Sequence, residues 1–323
     1  MSEALPLADA DEAIIAALRA KPGVASQSPF GPKDEIGMLN LVTPASMQAV
    51  FSSIDAHKAF DLAVDYFVGM PAWTGWGDPP FSMWMTATPS GSIPDDVAGL
   101  GAEKMRRRSR SSDAFSMFVH LGTHIDTLNH VGYDGVIWNC FNHHDHLGSK
   151  HWYVCGPEKH PPLISRAVLI DVAGAHGVDV LPDHYGIDGA ELEQVLARQK
   201  TALRVGDIVL IRTGRMSYWP DGDRFMPDEP GITLDGARFL AEAGAIVIGA
   251  DNVGLEQHPE TWDEFQPVHT YLLTEAGVPV IEAINLEEIA GEQLYEFAFI
   301  GAGMKIRGAT GAPLRPVAFP LSR

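Results

Sequence analysis

Ala167-Val168-Leu169-Ile170-Asp171-Val172 is an apolar run of strand length with no polar alternation, so it reads as a strand buried on both faces. Downstream, Asp188 to Lys200 reads as a helix, with Asp188 at the N-cap and Glu191 three residues on in the capping-box pattern. Gly206-Asp207 then turns the chain into a second buried strand, Ile208-Val209-Leu210-Ile211-Arg212. Thr233-Leu234 opens another helix that runs through Ala243 and stops at Gly244. Ala245 to Gly249 is a third strand, Val268 to Glu275 a helix, and Gly277 to Glu282 leads into a fourth strand. Residues 295–307 and 314–319 read as closing strands. Strand and helix alternate here, but strands outnumber helices over the chain, which predicts an α/β protein with a mixed β-sheet.

Upstream the punctuation changes. Residues 9–20 read as a short amphipathic helix with an acidic start, stopped by Pro22-Gly23, which makes residues 1–30 an N-terminal helical arm and 31–323 one domain. Thr43-Pro44 opens a helix through about Ile54, with Thr as N-cap and Pro at the first helical position. Ala59 to Val68 reads as a strand, Gly69 to Pro80 as a loop rich in Pro, Gly and Trp, and residues 81–88 as another strand. Residues 89–113 read as a flexible loop carrying the basic run Arg106-Arg107-Arg108-Ser109-Arg110, a solvated or inter-subunit face rather than a nucleic-acid site, with contact to an anionic substrate as the alternative. Ala114 to His120 alternates and reads as a strand.

The 42 acidic and 23 basic residues leave a net charge of −19, which argues against nucleic acid as a partner and against a polybasic membrane contact. Apolar residues at 46% and charged residues at 20% are the composition of a globular protein. Cys140 and Cys155 form neither a CxxC pair nor a disulfide framework, so a reducing compartment is expected. Met1 to Leu5 has no basic n-region or apolar h-region, and no run of apolar residues is long enough to span a bilayer; the expectation is a cytoplasmic protein.

Seven of the thirteen histidines fall between positions 120 and 151. Their densest part is His120-Leu121-Gly122-Thr123-His124-Ile125-Asp126-Thr127-Leu128-Asn129-His130. Imidazole and carboxylate are the common ligands of a divalent first-row metal. On a strand, positions 120, 124 and 126 share a face, and a bulge or turn at Gly122 would let His120 and His124 meet on one ion. Two His and one carboxylate leave coordination positions open, as a catalytic site requires. His143, His144 and His146 read as a loop near the pocket rather than a second metal site.

The pattern H-x-G-T-H-x-D-x-x-x-H resembles the signature of the cyclase-family metal hydrolases, which include bacterial kynurenine formamidase (arylformamidase) and isatin hydrolase. Gly31 to Asn40, the Met70-Pro71-Ala72-Trp73 loop with Gly77-Asp78-Pro79, Gly206 to Gly214, Ile248 to Asp251, Pro267-Val268-His269 and Ile281-Glu282 are similar to further segments of that family. The resemblance implies a swivelling β/β/α fold in dimers or tetramers, with zinc or manganese as one or two ions. It implies that His120, His124 and Asp126 hold a first metal, that Asp126 bridges to a second where two are present, and that His269 and Glu282 complete the site. His130 would be the general acid/base and Trp73 would line the pocket of a small-molecule substrate. The chain departs from the formamidases in reading Asp126-Thr127-Leu128-Asn129-His130 where they carry Asp-Ala-Pro-x-His, and in the extra Thr74-Gly75-Trp76.

The residues and the resemblance agree on chemistry. A divalent metal lowers the pKa of a water and polarises a carbonyl, and a nearby histidine moves the proton. The expected reaction is hydrolysis of an amide C–N bond, of arylformamide or cyclic-amide type. A lactone hydrolase on the same site and a non-haem iron oxygenase built on a two-His, one-carboxylate triad are the alternatives.

Overall fold

The structure is a computed structural model that describes residues 23–75, 77–107, 109–261 and 264–322; the helix expected over 9–20 lies outside them. In chain order its strands are β1 (Phe60–Asp61), β2 (Ser82–Ala87), β3 (Ser112–Ser116), β4 (His124–Asp126), β5 (Leu163–Asp171), β6 (Gly186–Ile187), β7 (Ile208–Arg212), β8 (Gly231–Ile232), β9 (Val247–Ala250), β10 (Val280–Glu282), β11 (Glu296–Gly301), β12 (Gly311–Pro313) and β13 (Val317–Pro320).

Nine of them form one mixed sheet in the order β1-β13-β11-β5-β7-β9-β10-β4-β12. Its centre, β5-β7-β9-β10, is parallel, and both flanks pair antiparallel. The central strands are buried along their length, with Val168, Leu169, Ile170, Val209, Leu210, Ile211, Val247 and Ile248 all at 0% exposure. That is why they read as unbroken apolar runs: a parallel sheet is covered by helices on both faces and has no wet side to encode. Truncating one of these side chains to Ala costs about 2–5 kcal/mol. The helix Gly189–Gln199 buries Leu192, Val195 and Leu196, and Leu234–Glu242 buries Ala237, Leu240 and Ala241, the spacing of one helical face. No helix among the described residues is long and apolar enough to cross a membrane.

The expected elements fall close to their places. Thr43 and Ser46 make the reciprocal cap of the helix Pro44–Ser53. Asp188 accepts from the Glu191 N–H at 2.8 Å, but the Glu191 carboxylate turns to the Tyr185 hydroxyl (2.9 Å), so only half of the expected capping box is made. Four expectations need correction. The strand expected over 59–68 is a two-residue ladder, because Leu62 N–H bonds the Pro316 carbonyl and Val64 N–H the Thr123 hydroxyl instead of continuing into a neighbouring strand. The strand expected to deliver the histidines ends at Ser116 and pairs only with β2, in a two-stranded ribbon separate from the main sheet. Residues 89–113 contain two short helices, Ser92–Asp95 and Ala102–Arg106. The helix expected at 268–275 is an α-turn at Pro267–Thr270 continued by a π-helix at Tyr271–Ala276.

Candidate metal centre

β4 and β10 are adjacent and antiparallel, with His124 directly opposite Glu282 and Asp126 opposite Val280. His124 and Asp126 are two residues apart, so their side chains share the face on which Glu282 stands. His124 Nε2 lies 3.3 Å from Asp126 Oδ1 and 3.2 Å from Glu282 Oε2. The turn Pro267–Thr270 brings His269 Nε2 to 2.9 Å from Glu282 Oε1 and 3.6 Å from Asp126 Oδ2. His120 arrives from outside the strand. Gly122 takes φ +57°, where a Cβ would press Tyr66 Cζ at 3.0 Å and Met70 Cε at 3.1 Å, and the bend there sets His120 Nδ1 2.6 Å from Asp126 Oδ1. The turn expected at Gly122 is therefore present. Two donor groups result, His120-His124-Asp126 and Asp126-His269-Glu282, each with ligand atoms within 4.8 Å of one another and with Asp126 common to both.

Each imidazole is anchored from behind. His124 Nδ1 meets the Gly122 carbonyl at 2.8 Å, His269 Nδ1 meets the Glu256 carboxylate, and His120 Nε2 meets the Thr310 hydroxyl at 2.8 Å. Such partners fix the tautomer and leave the inward nitrogen with its lone pair free. With the ring neutral, that lone pair at His124 would face two carboxylate oxygens, so a positive charge, either a proton or a metal ion, is required between them. His124 Nε2 and Asp126 Oδ2 are both buried without a hydrogen-bond partner. A cation resolves this, and three nitrogens with two carboxylates are donors suited to a divalent one. The electrostatics say the same. Burial alone would depress His124, but Asp126 and Glu282 outweigh it and push the imidazole up to about 10. Burial opposes ionisation of Asp126 as well, yet His120, His130 and His124 hold its carboxyl well below the usual range.

His130 comes from the turn after β4, where its N–H bonds the Thr127 carbonyl at 3.0 Å. Its ring stacks on His120 with centroids 4.1 Å apart, and Nε2 stands 3.8 Å from Asp126 Oδ2. Burial pushes it down to about 3, so it is a neutral imidazole beside the donor cluster. A cleft lined by Pro71, Trp73, Leu121, Trp219, Phe225 and Met226 opens onto His120 and His124. Trp73 stands at the mouth of that cleft, 41% exposed. His143, His144 and His146 sit on a short surface helix and belong to neither donor group. Trp138 is a core residue whose indole N–H bonds Asp34 at 2.9 Å.

Three contributors were not legible in the sequence. Glu256 is buried and takes the His269 ring, the His269 N–H (3.1 Å) and the Val268 N–H (3.2 Å). Thr310 orients His120. The buried Glu229 carboxyl stands 3.2 Å from His258 Nε2, and the His258 ring packs on Trp73 at 5.9 Å. The one available hint to Glu256 was its loop, which leaves β9 at the end of the parallel strands where functional groups gather. Asp251, at the start of that loop, instead accepts from the Thr213 N–H and hydroxyl and the Gly214 N–H at 2.7–2.8 Å, which ties down the turn after β7.

No curated protein matches the chain. Among solved structures it is similar to a novel cyclase, with 29% identity, 92% of this chain and 99% of that one covered, and a TM-score of 0.79. It shares its fold with isatin hydrolase A from Ralstonia solanacearum (19% identity, 87% and 99% covered, TM-score 0.61). It also shares it with a "predicted metal-dependent hydrolase" from Bacillus stearothermophilus (21% identity, 81% and 98% covered, TM-score 0.52). The Cyclase family model matches residues 60–257, a span that runs from β1 through β9 to Glu256 and carries His120, His124, Asp126 and His130; the chain belongs to the Cyclase family.

Proposed function

We propose that this protein is a metal-dependent hydrolase that cleaves an amide C–N bond of arylformamide or cyclic-amide type. The observation that carries the reading is the pair of orphaned, buried lone-pair atoms, His124 Nε2 and Asp126 Oδ2, inside a set of three imidazoles and two carboxylates. In the proposal His120, His124 and Asp126 hold a divalent ion, zinc or manganese, and His269 and Glu282 complete the set, with Asp126 shared where a second ion binds. Such an ion lowers the pKa of a water toward neutrality and polarises the scissile carbonyl. His130, next to the cluster with Nε2 3.8 Å from Asp126 Oδ2, accepts the proton that the attacking water gives up. It returns that proton to the leaving nitrogen, which an amide needs because an unprotonated amide nitrogen is a poor leaving group. Trp73, Trp219 and Phe225 form an aromatic wall suited to a flat, uncharged substrate, and neither Lys nor Arg lines the cleft among the described residues.

The test is metal analysis of the purified protein together with a substrate panel of N-formyl aryl amines, isatin-type cyclic amides and lactones. Stoichiometric zinc or manganese, turnover of an amide class, loss on chelation and recovery on re-addition, all under nitrogen, are expected. Turnover of lactones alone, or dependence on oxygen, refutes it.

A further inference from the structure

We propose that Glu229 and His258 are positioning residues that hold the Trp73 indole in the wall of the cleft, so that the site selects aryl over alkyl carbonyl substrates; the selection, unlike the positioning, rests on the hydrolase function proposed above. The loop that carries Trp73 holds it loosely. Trp73 opens the exposed stretch 73–75 after the buried Pro71. The turns on either side close on themselves, Met70 N–H on the Phe67 carbonyl and Gly77 N–H on the Thr74 carbonyl, both at 3.1 Å, and neither ties the indole to the body. The indole is 41% exposed, too open for burial alone to fix its rotamer. Among the described residues its ring contact is with His258, at a centroid distance of 5.9 Å and 48° between planes, within the range of attractive ring pairs.

His258, by contrast, is fixed on three sides. Its N–H bonds the Glu229 carbonyl at 3.1 Å, its own carbonyl accepts the His184 ring N–H at 2.7 Å, and its Nε2 stands 3.2 Å from Glu229 Oε1. Glu229 is 0% exposed, and its other carboxyl oxygen accepts the Val253 N–H at 2.6 Å. Val253 lines the same cleft as Trp73. A line of contacts thus leaves the cleft at Val253, passes through Glu229 and His258, and returns to it at Trp73. Gly254 makes room for this line: a Cβ there would stand 3.0 Å from Glu229 Oε1 and 3.6 Å from His258 Nε2. Glu229 Oε1 is buried without a hydrogen-bond partner, and the Arg215 guanidinium is taken by Asp183 at 2.7 Å and by the Phe225 and Pro227 carbonyls. A buried carboxyl oxygen that faces an imidazole nitrogen needs a proton between the two. Burial pushes the Glu229 carboxyl well above its ordinary range and His258 below its own, which puts that proton on Glu229 as a donor to Nε2. The bond fixes the plane of the ring against which the indole packs.

Fluorine NMR of the full chain labelled with fluorotryptophan reads the positioning directly, and the resonance lost in Trp73→Phe is that of Trp73. His258→Ala is expected to move or broaden that resonance. His258→Phe, which keeps a ring, and Glu229→Gln, whose NH2 replaces the donated O–H, are expected to leave it near its wild-type place. Kinetics on aryl and alkyl members of whichever carbonyl class turns over read the selection. His258→Ala is expected to raise KM for the aryl member about 3–10-fold with kcat within about twofold, and His258→Phe to recover it. The alkyl KM and the metal content stay at wild-type values. A Trp73 resonance indifferent to His258→Ala overturns the positioning. An equal rise in KM for both members overturns the selection, and a fall in kcat that His258→Phe does not recover puts a proton-transfer role in its place. A wild type that turns over no member of the panel refutes the hydrolase function and the selection with it, while the resonance still decides the positioning.

Discussion

Replacing Glu256 by Gln separates the orientation of a metal ligand from the simple filling of space. The Glu256 carboxylate is 2% exposed and faces three donors: the His269 ring N–H, the His269 main-chain N–H and the Val268 main-chain N–H. The last two belong to the first turn of Pro267–Thr270, whose N-cap residue Gln266 supplies no side-chain cap, so Glu256 acts as a cap reaching in from another loop. Gln keeps the volume but offers one acceptor oxygen and one NH2 group. If the oxygen stays on the His269 side, the NH2 meets the Val268 N–H, a donor facing a donor, and the cost is about 1–3 kcal/mol of stability. The imidazole also loses the negative charge behind it, and removal of such a partner weakens metal binding about 10–100-fold, which is about 1.4–2.7 kcal/mol. Competition with a chromogenic chelator measures the affinity, and thermal melting of the chelated protein measures the stability. A Gln variant whose metal affinity stays within about twofold of wild type while the metal-free protein melts lower refutes the orienting role and leaves Glu256 as a cap alone.

Four further outcomes are expected. His130→Ala keeps its metal stoichiometry and loses at least about 100-fold in kcat, the usual contribution of a general acid/base; loss of metal with normal turnover by the remaining loaded fraction would contradict it. Gly122→Ala, which must hold φ +57° and press Tyr66 and Met70, costs about 1–2 kcal/mol in thermal unfolding and weakens metal binding through His120. Asp251→Ala leaves the Thr213 and Gly214 N–H groups buried without an acceptor and lowers stability by about 2–5 kcal/mol in denaturant titration, with metal stoichiometry unchanged. Calorimetry in buffers of different ionisation enthalpy shows a proton released from His124 on metal binding at pH 8: an ordinary His has already lost it there, whereas His124, pushed up to about 10, still holds it, and the release fades above that pH.

The fold class was legible because burial on both faces turns β5, β7 and β9 into uninterrupted apolar runs, and nothing else in the chain looks like them. The centre was legible in part. His124 and Asp126 obey strand parity, which sequence spacing encodes directly. His120 and His130 do not: the strand has only three residues, and both imidazoles return to the cluster through turns, one at Gly122 and one closed by the His130 N–H on Thr127. Parity through position 120 gave the right neighbour for the wrong geometric reason. The placement of Glu282 opposite His124 depends on the register of two strands more than 150 residues apart, and Glu256 and Thr310 act only by tertiary approach. A lone Glu or Thr leaves no periodic trace, so no reading of one sequence isolates it.

The arrangement also explains how one short segment can supply histidines of two kinds. His124 and His269 have an acceptor behind them and carboxylates in front, and both are held well above the ordinary imidazole range, against the effect of burial, by those carboxylates. Without a cation such positions attract a proton; with one, the cation takes the proton's place. His130 has the opposite setting: burial together with the positive ends of His120 and His269 outweighs the pull of Asp126 and keeps it neutral. The division follows from geometry. Residues 124 and 126 point their side chains between two strands, where carboxylates converge, while residue 130, beyond the turn, meets the same carboxylate only at 3.8 Å and lies flat on the His120 ring. A base that stays neutral must not sit among the charges that bind a metal, and the four-position separation of His130 from Asp126, with the turn between them, keeps the two apart.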